Sequence, residues 1–462
     1  MTKVISLLIL LISVSGFTQT TERPTLTYKE YLVNIINEHP IAKSALLKEK
    51  IAKAQLLTAK GGFDPSLVSS IDQKQFKDKE YYNIFKNKIT IPTPIGVNIT
   101  GGFDNNSGTY LNPENKTTGS GLWSAGLEVD VLQGLLTNTR RTALKQAKVY
   151  QEIAKNQQLQ LLNELIYSAS IAYAEWQQYA AIYRTMQQNL RLSQLYLDNT
   201  KSALVSGEKT AMDTLEANVY LQNSQIDLIK YQQLLTEKRL KVENNLWLDN
   251  MPIGLKSEIQ PEFQTIATED DEIKLLNNLD SIPVIAEKIG KKEVLILKQK
   301  LTREKLKPKL KLKYNQLLST TDETINPNFD VDNYKWYASL TIPLLFRSER
   351  GKYRESKYKV EEINYEIAYK KTEVQNKIIA NQKNQLALAN QIHLLEQNIK
   401  GYKKLLDAET LKFDYGESSM FLINKRQEKL IESELKLLST QNKLITNYLD
   451  YLLLTNNIIP NE

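Results

Sequence analysis

The chain has no cysteine. That excludes disulfides, thiolate metal sites, a cysteine nucleophile and lipid attachment at an N-terminal cysteine. Histidine is nearly absent too: His39 and His393 are too few for the commoner histidine-rich zinc centres, and a Ser-His-Asp triad would have to use one of them. Breakers are scarce, with 17 Gly and 13 Pro in 462 residues, so the elements between them are long. Beyond residue 20 no apolar run approaches the ~18 residues of a membrane-spanning helix, which leaves a chain that is soluble, peripheral, or crosses a membrane as strands. These absences describe a protein that is not an enzyme and uses no metal or cofactor.

What is present starts with an export signal. Lys3 is followed by the apolar stretch Val4 to Ile12 and then by small residues around Val14-Ser15-Gly16, the order of a secretory signal peptide, assigned to residues 1–19. The formal charge of +7 is modest for this length, and its signs alternate, as in Lys48-Glu49-Lys50 and Glu428-Lys429. Such alternation is a solvated helix surface and not a nucleic-acid stripe, so no nucleic-acid partner is expected.

Leu135 to Ser206 contains neither Gly nor Pro, and Glu208 to Met251 follows after Gly207 alone. Lys352 to Tyr415, interrupted only by Gly401, is followed by Gly416 and by Glu417 to Ile459. As helix, the first of these tracts would span on the order of 100 Å at about 1.5 Å per residue. Leu388, Ile392, Leu395, Ile399, Tyr402 and Leu406 alternate steps of four and three, a heptad seam. Leu430/Ile431, Leu437/Leu438, Leu444/Ile445 and Tyr451/Leu452 form a doubled seam, predicting a helix with two neighbours. An ordinary antiparallel bundle would explain these stripes equally well.

Short segments of period two precede the long tracts. Trp123, Ala125, Leu127, Val129 and Val131 alternate with Ser124, Gly126, Glu128 and Asp130; Leu310, Leu312 and Tyr314 alternate with Lys309, Lys311 and Lys313. Trp336 to Leu344 and Leu67 to Asp72 complete a set of four. Alternation of this kind fits a half-buried soluble sheet or a membrane strand with its apolar side toward lipid. In the second case Ser124, Glu128, Asp130, Lys309, Lys311 and Lys313 are candidates for a water-filled lumen. The same order of elements occurs twice. Residues 20–250 form a first repeat with strands at about 64–76 and 121–133 and a loop at 77–120 carrying short accessory strands. Residues 251–280 are a connector, and 281–462 a second repeat with strands at about 308–318 and 334–346.

With His39-Pro40, Leu127-x-Val129-x-Val131-Leu132-Gln133-Gly134, Arg140-Arg141-x-Ala143 and the tips Ser206-Gly207-Glu208 and Tyr415-Gly416-Glu417-Ser418-Ser419, this duplicated order resembles the TolC-type outer membrane efflux proteins. The resemblance covers nearly the whole mature chain. It implies a mainly α fold with a transmembrane β-barrel contribution: a homotrimer with four strands per protomer in a twelve-stranded outer membrane barrel, continued by an α-helical barrel in the periplasm. It implies an exit duct in outer membrane lipid, for a tripartite efflux or type I secretion system, passing small molecules or exported proteins, with a periplasmic adaptor protein and an inner-membrane pump as partners. Adaptor contact would fall on the tips, Leu204, Val205, Ser206, Gly207 and Glu208 in one and Phe413, Asp414, Tyr415, Gly416 and Glu417 in the other. A gating aspartate would be Asp213; Ser418 stands where the family has its arginine partner, and Leu422 and Lys425 where some members carry an acidic ring. The rival reading is a periplasmic coiled-coil adaptor or scaffold without a pore.

Overall fold

The computed structural model describes residues 24–263, 278–319 and 328–459; the expected signal segment and residues 264–277 of the expected connector lie outside them. Among the described residues seven α-helices carry most of the chain: α1 (Tyr28–Glu38), α2 (Pro40–Gly61), α3 (Thr139–Val205), α4 (Ala211–Glu243), α5 (Pro283–Glu304), α6 (Arg347–Asp414) and α7 (Met420–Thr455). The two longest, α3 and α6, have 67 and 68 residues, as the breaker-free tracts predict. Two X-Pro steps set helix starts. His39 and Ile282 are held extended at ψ 134° and 129°, the conformation proline imposes on its predecessor, and Pro40 and Pro283 open α2 and α5. Thr27 and Glu30 form a capping box on α1, satisfying amides that the first helical turn leaves free.

Six strands form one antiparallel sheet: β1 (Ser66–Phe76), β2 (Lys79–Pro92), β3 (Val97–Ser107), β4 (Leu122–Asp130), β5 (Lys309–Ser319) and β6 (Asn328–Thr341), hydrogen-bonded in the order β6-β5-β4-β3-β2-β1. The four expected strands are β1, β4, β5 and β6. The segment 77–120 corrects one expectation: it is not chiefly a loop, because β2 and β3 are full ladder members lying between β1 and β4. The turn signals in that segment close hairpins within the sheet instead of ending it. Lys77 and Asp78 both have positive φ, 53° and 55°, which makes the two-residue β1–β2 connection. The last strand also lies earlier than 334–346, since Pro343 has no amide to donate to a ladder.

The described residues divide into two compact units, one of 24–39, 169–263 and 388–446, the other of 40–168, 278–319, 328–387 and 447–459. The core of the first contains a cluster of aromatic rings. Tyr31, Tyr173 and Trp176 are buried, with Tyr31–Tyr173 centroids 5.5 Å apart and the Tyr173 hydroxyl donating to the Leu26 carbonyl at 2.6 Å. Farther along, Leu197, Ala217, Leu221, Ile399, Leu406, Met420, Ile423 and Leu430 join α3, α4, α6 and α7, so the heptad seam is a packing seam. The second unit holds the sheet and a cluster of Ile282, Ile285, Val374, Ile378 and Tyr451.

Candidate functional site: a two-faced sheet and two helical tips

Register decides which side chains share a face of the sheet, because residues paired across a ladder point the same way. From Ser124, Glu128 and Asp130 on β4 the pairing runs to Leu317, Lys313 and Lys311 on β5, then to Tyr337 and Ser339 on β6. In the other direction it runs to Asn98, Thr100 and Gly102 on β3, Lys88 and Thr90 on β2, and Val68 and Ser66 on β1. This face is polar almost throughout. All six lumen candidates lie on it, Lys309 through its pairing with Thr341, and the Lys311 ammonium donates to Glu128 at 2.8 Å. Lysines (74, 86, 88, 309, 311, 313 and 335) outnumber its carboxylates (Asp72, Asp104, Glu128 and Asp130).

The opposite face carries Leu67, Ile71, Phe85, Ile89, Ile91, Ile99, Phe103, Trp123, Leu127, Val129, Leu310, Leu312, Tyr314, Trp336 and Leu340. Its side chains are open to the surroundings: Ile71 is 70% exposed and Trp336 66%. An aqueous sheet would not leave so large a contiguous apolar surface uncovered. The β3–β4 loop returns over the polar face, where Asn106 donates to the Asn115 carbonyl at 2.8 Å and its amide to the Thr117 hydroxyl at 3.0 Å.

Where the sheet meets the helices, Asn138 caps α3 by accepting from the Arg141 amide at 2.9 Å. The Arg141 guanidinium donates to the Leu135 and Leu136 carbonyls at 2.6 and 2.9 Å, and Arg140 to the Asn98 side chain at 3.4 Å. A side chain at Gly96, in the β2–β3 turn, would run into Arg141, and its φ of +93° requires glycine in any case. The arginine pair noted in the sequence therefore pins this hairpin to the start of α3.

The two tips are built alike. After α3 the Glu208 amide donates to the Ala203 carbonyl at 2.9 Å and Gly207 to Leu204 at 3.1 Å; after α6 the Glu417 amide donates to Lys412 at 2.8 Å and Gly416 to Phe413 at 3.0 Å. Both are Schellman closures around a glycine at φ +78°. Leu204, Val205, Ser206, Gly207 and Glu208 are exposed, Val205 to 91%, as are Asp414, Tyr415, Gly416 and Glu417; Phe413 is half-buried. Its carbonyl accepts from the Lys209 ammonium at 2.7 Å, and that ammonium sits 3.6 Å from the Phe413 ring centre.

Each gate candidate has a partner of its own. Asp213 completes a capping box on α4, accepting from the Thr210 hydroxyl at 2.8 Å and the Thr210 amide at 3.1 Å. Burial pushes its carboxyl up, but the Thr210 donors, the Met420 amide and Lys209 outweigh burial and hold it below the ordinary aspartate value. Ser418 donates to Glu409 at 2.6 Å, which with Arg426 holds that glutamate's carboxyl low. Lys425 pairs with Glu428 at 3.6 Å. Lys209, Glu409 and Arg426 were not singled out from sequence. The only signal available was a Lys directly beside the first tip.

Sequence reading also missed a buried polar layer in the first unit. Asn189 on α3 donates to Ser224 at 3.0 Å and accepts from the Tyr220 hydroxyl at 3.0 Å and the Gln427 amide at 3.3 Å, tying α3, α4 and α7. Among the described residues no group of three or more His, Asp or Glu side chains is placed to hold a metal ion, and no helix is long and apolar enough to cross a membrane.

A mainly α chain with one two-faced antiparallel sheet and paired long helical hairpins has the fold of outer membrane channels. Solved structures carry that likeness over nearly the full length. The outer membrane protein VceC of Vibrio cholerae aligns at TM-score 0.64 with 13% identity over 93% of this chain and 95% of its own. The outer membrane channel CmeC of Campylobacter jejuni aligns at 0.64 with 12% identity over 97% and 94%. The Neisseria gonorrhoeae MtrE outer membrane channel in its open state aligns at 0.60 with 14% identity over 93% and 89%. No protein-family model matches the chain, and neither does any curated protein sequence.

Proposed function

We propose that the chain is an outer membrane channel, the passive exit duct of a tripartite efflux or type I secretion system, carrying small molecules or exported proteins outward. The observation that carries this reading is the division of the sheet: one face apolar and exposed across all six strands, the other lined by Lys, Ser, Thr and Asn. A sheet with one face for hydrocarbon and one for water is what a barrel wall requires, and six strands cannot enclose a water-filled pore alone, since about eight already pack their interior with side chains. More than one copy must join, and the family resemblance makes the working form a homotrimer in the outer membrane, with its helices in the periplasm. A duct needs no catalytic group; it supplies a polar wall, a width and a gate. The exposed glycine tips are the docking surface for a periplasmic adaptor, which connects the duct to an inner-membrane pump.

The test is planar-bilayer recording on the detergent-extracted protein. Discrete conductance steps from material that resists washing off the outer membrane are the expected result. A protein released by washing, with no conductance, would overturn the reading in favour of a periplasmic scaffold.

A further inference from the structure

We propose that three copies close an eighteen-stranded barrel, the free edge of β6 in one copy pairing with the free edge of β1 in the next. The inference rests on the channel reading and concerns how wide the channel is. β2 and β3 are continuous ladder members between β1 and β4: β1 pairs with β2 from Ser66↔Thr90 to Phe76↔Lys79, and β3 pairs with β4 from Val97↔Val129 to Asp104↔Leu122. β1 and β4 therefore do not meet, and the wall has six strands per copy in place of the four that the duplicated pattern displays.

The extra hairpin belongs to the wall by its chemistry. Phe85, Ile89, Ile91, Ile99 and Phe103 extend the apolar face, while Lys86, Lys88, Thr90, Thr100 and Asp104 extend the polar one. A plug inside the lumen or a flap outside it would not need that sorting. The hairpin is also fastened at its helical end, through Arg140 to Asn98 and through the packing of Arg141 against Gly96.

The edges state what must join them. Among the described residues nothing pairs with the outer side of β1 or β6, which have 11 and 14 residues, enough to cross a bilayer as tilted strands of roughly 9–11 residues. Unpaired amides and carbonyls do not survive in hydrocarbon. β1 leads away from α2 and β6 leads back into α6, so the two edges run in opposite directions and their union continues an antiparallel ladder. Two added strands lengthen the wall by about 10 Å or more per copy at about 4.8 Å per strand. A barrel's diameter grows nearly in proportion to its strand number, so eighteen strands give a lumen about 1.5 times as wide as twelve, with about twice the cross-section.

Electron cryomicroscopy of the detergent-extracted particle counts the strands directly. Ser70→Cys with Ser339→Cys adds an independent check, since both positions lie on the polar face of the edge strands and the native chain has no cysteine to interfere. Register between copies is covered by pairing Val68→Cys or Asp72→Cys with Ser339→Cys. The expected results are eighteen strands and oxidation to covalent dimers and trimers by at least one pair. A twelve-stranded particle, whether a dimer or a trimer with β2 and β3 outside the wall, overturns the inference and leaves the channel reading standing. A particle with no barrel overturns both.

Discussion

Asp213→Ala probes how the two tips are held together. The carboxylate accepts from the Thr210 hydroxyl and amide, at 2.8 and 3.1 Å, and faces the Met420 amide at the start of α7. Losing its half of the capping box removes about 1 kcal/mol, and losing a negative charge beside two helix N-termini removes about half as much again. The sum, about 1.5 kcal/mol, is about a tenfold gain in the population of opened tips. Hydrogen exchange on the detergent-extracted particle reads it: amides at 210–216 and 417–421 should exchange about ten times faster, while those of β4 and β5 do not change. Asp213→Asn, which keeps an acceptor oxygen, should recover part of the loss. The pH dependence has a definite sign. Because the folded carboxyl is held below its ordinary value of 3.8, its contribution is complete above that value and is lost as pH falls through the lower folded one. The native tips should therefore keep their slow exchange at neutral pH and approach the Ala variant's only below about pH 4. Unchanged exchange at 417–421 in Asp213→Ala would refute the idea that this carboxylate links the two tips.

Replacing Gly207 and Gly416 together by leucine meets no steric obstacle, since a Cβ at either position touches nothing within 4 Å, but φ +78° strains each by about 1–2 kcal/mol. Barrel assembly should persist in membranes while export is lost; normal export by this variant would remove the docking role of the tips. Asn189→Ala leaves the Tyr220 hydroxyl and the Gln427 amide without a partner at about 1–3 kcal/mol each, while Ser224 keeps the Tyr220 carbonyl and Ser193, so thermal unfolding of the first unit should shift down by several degrees. A melting curve that does not move would show that water replaces the asparagine. Lys88, Lys313 and Lys335 changed together to glutamine should move the bilayer reversal potential toward cation preference, and no movement would mean that this face does not line the conducting path.

Elements governed by local periodicity were legible in the sequence. A missing breaker fixes helix length, and period two fixes which residues share a face, so Ser124, Glu128 and Asp130 fell on the side of Lys309, Lys311 and Lys313 before any pairing was known. The hairpin β2–β3 was not legible for an equally physical reason. Its strands mix Asn, Lys and Gly with Phe and Ile, as in Phe85-Lys86-Asn87-Lys88 and Thr100-Gly101-Gly102-Phe103, so neither alternation stands out by itself. Only the ladder to β1 and β4, which imposes the parity of its neighbours, gives those residues a face.

The tips divide along the same line. Their glycines were readable because a Schellman closure is decided within six residues, whereas the groups that join the tips are distant in sequence: Lys209 and Phe413 stand 204 residues apart. Asp213 was readable as a charge near a turn, but its partners could not be inferred, since the carboxylate serves its own helix through Thr210 and a second helix through Met420. That double duty bears on how the tips would open. A residue that caps its own helix cannot be pulled away without fraying that helix, so separating the tips and loosening the first turn of α4 become one event. An adaptor that docks on the exposed glycine turns would then need only to offer the Met420 amide or Lys209 a better partner, and exchange at 210–216 should rise on docking even where the adaptor never touches α4.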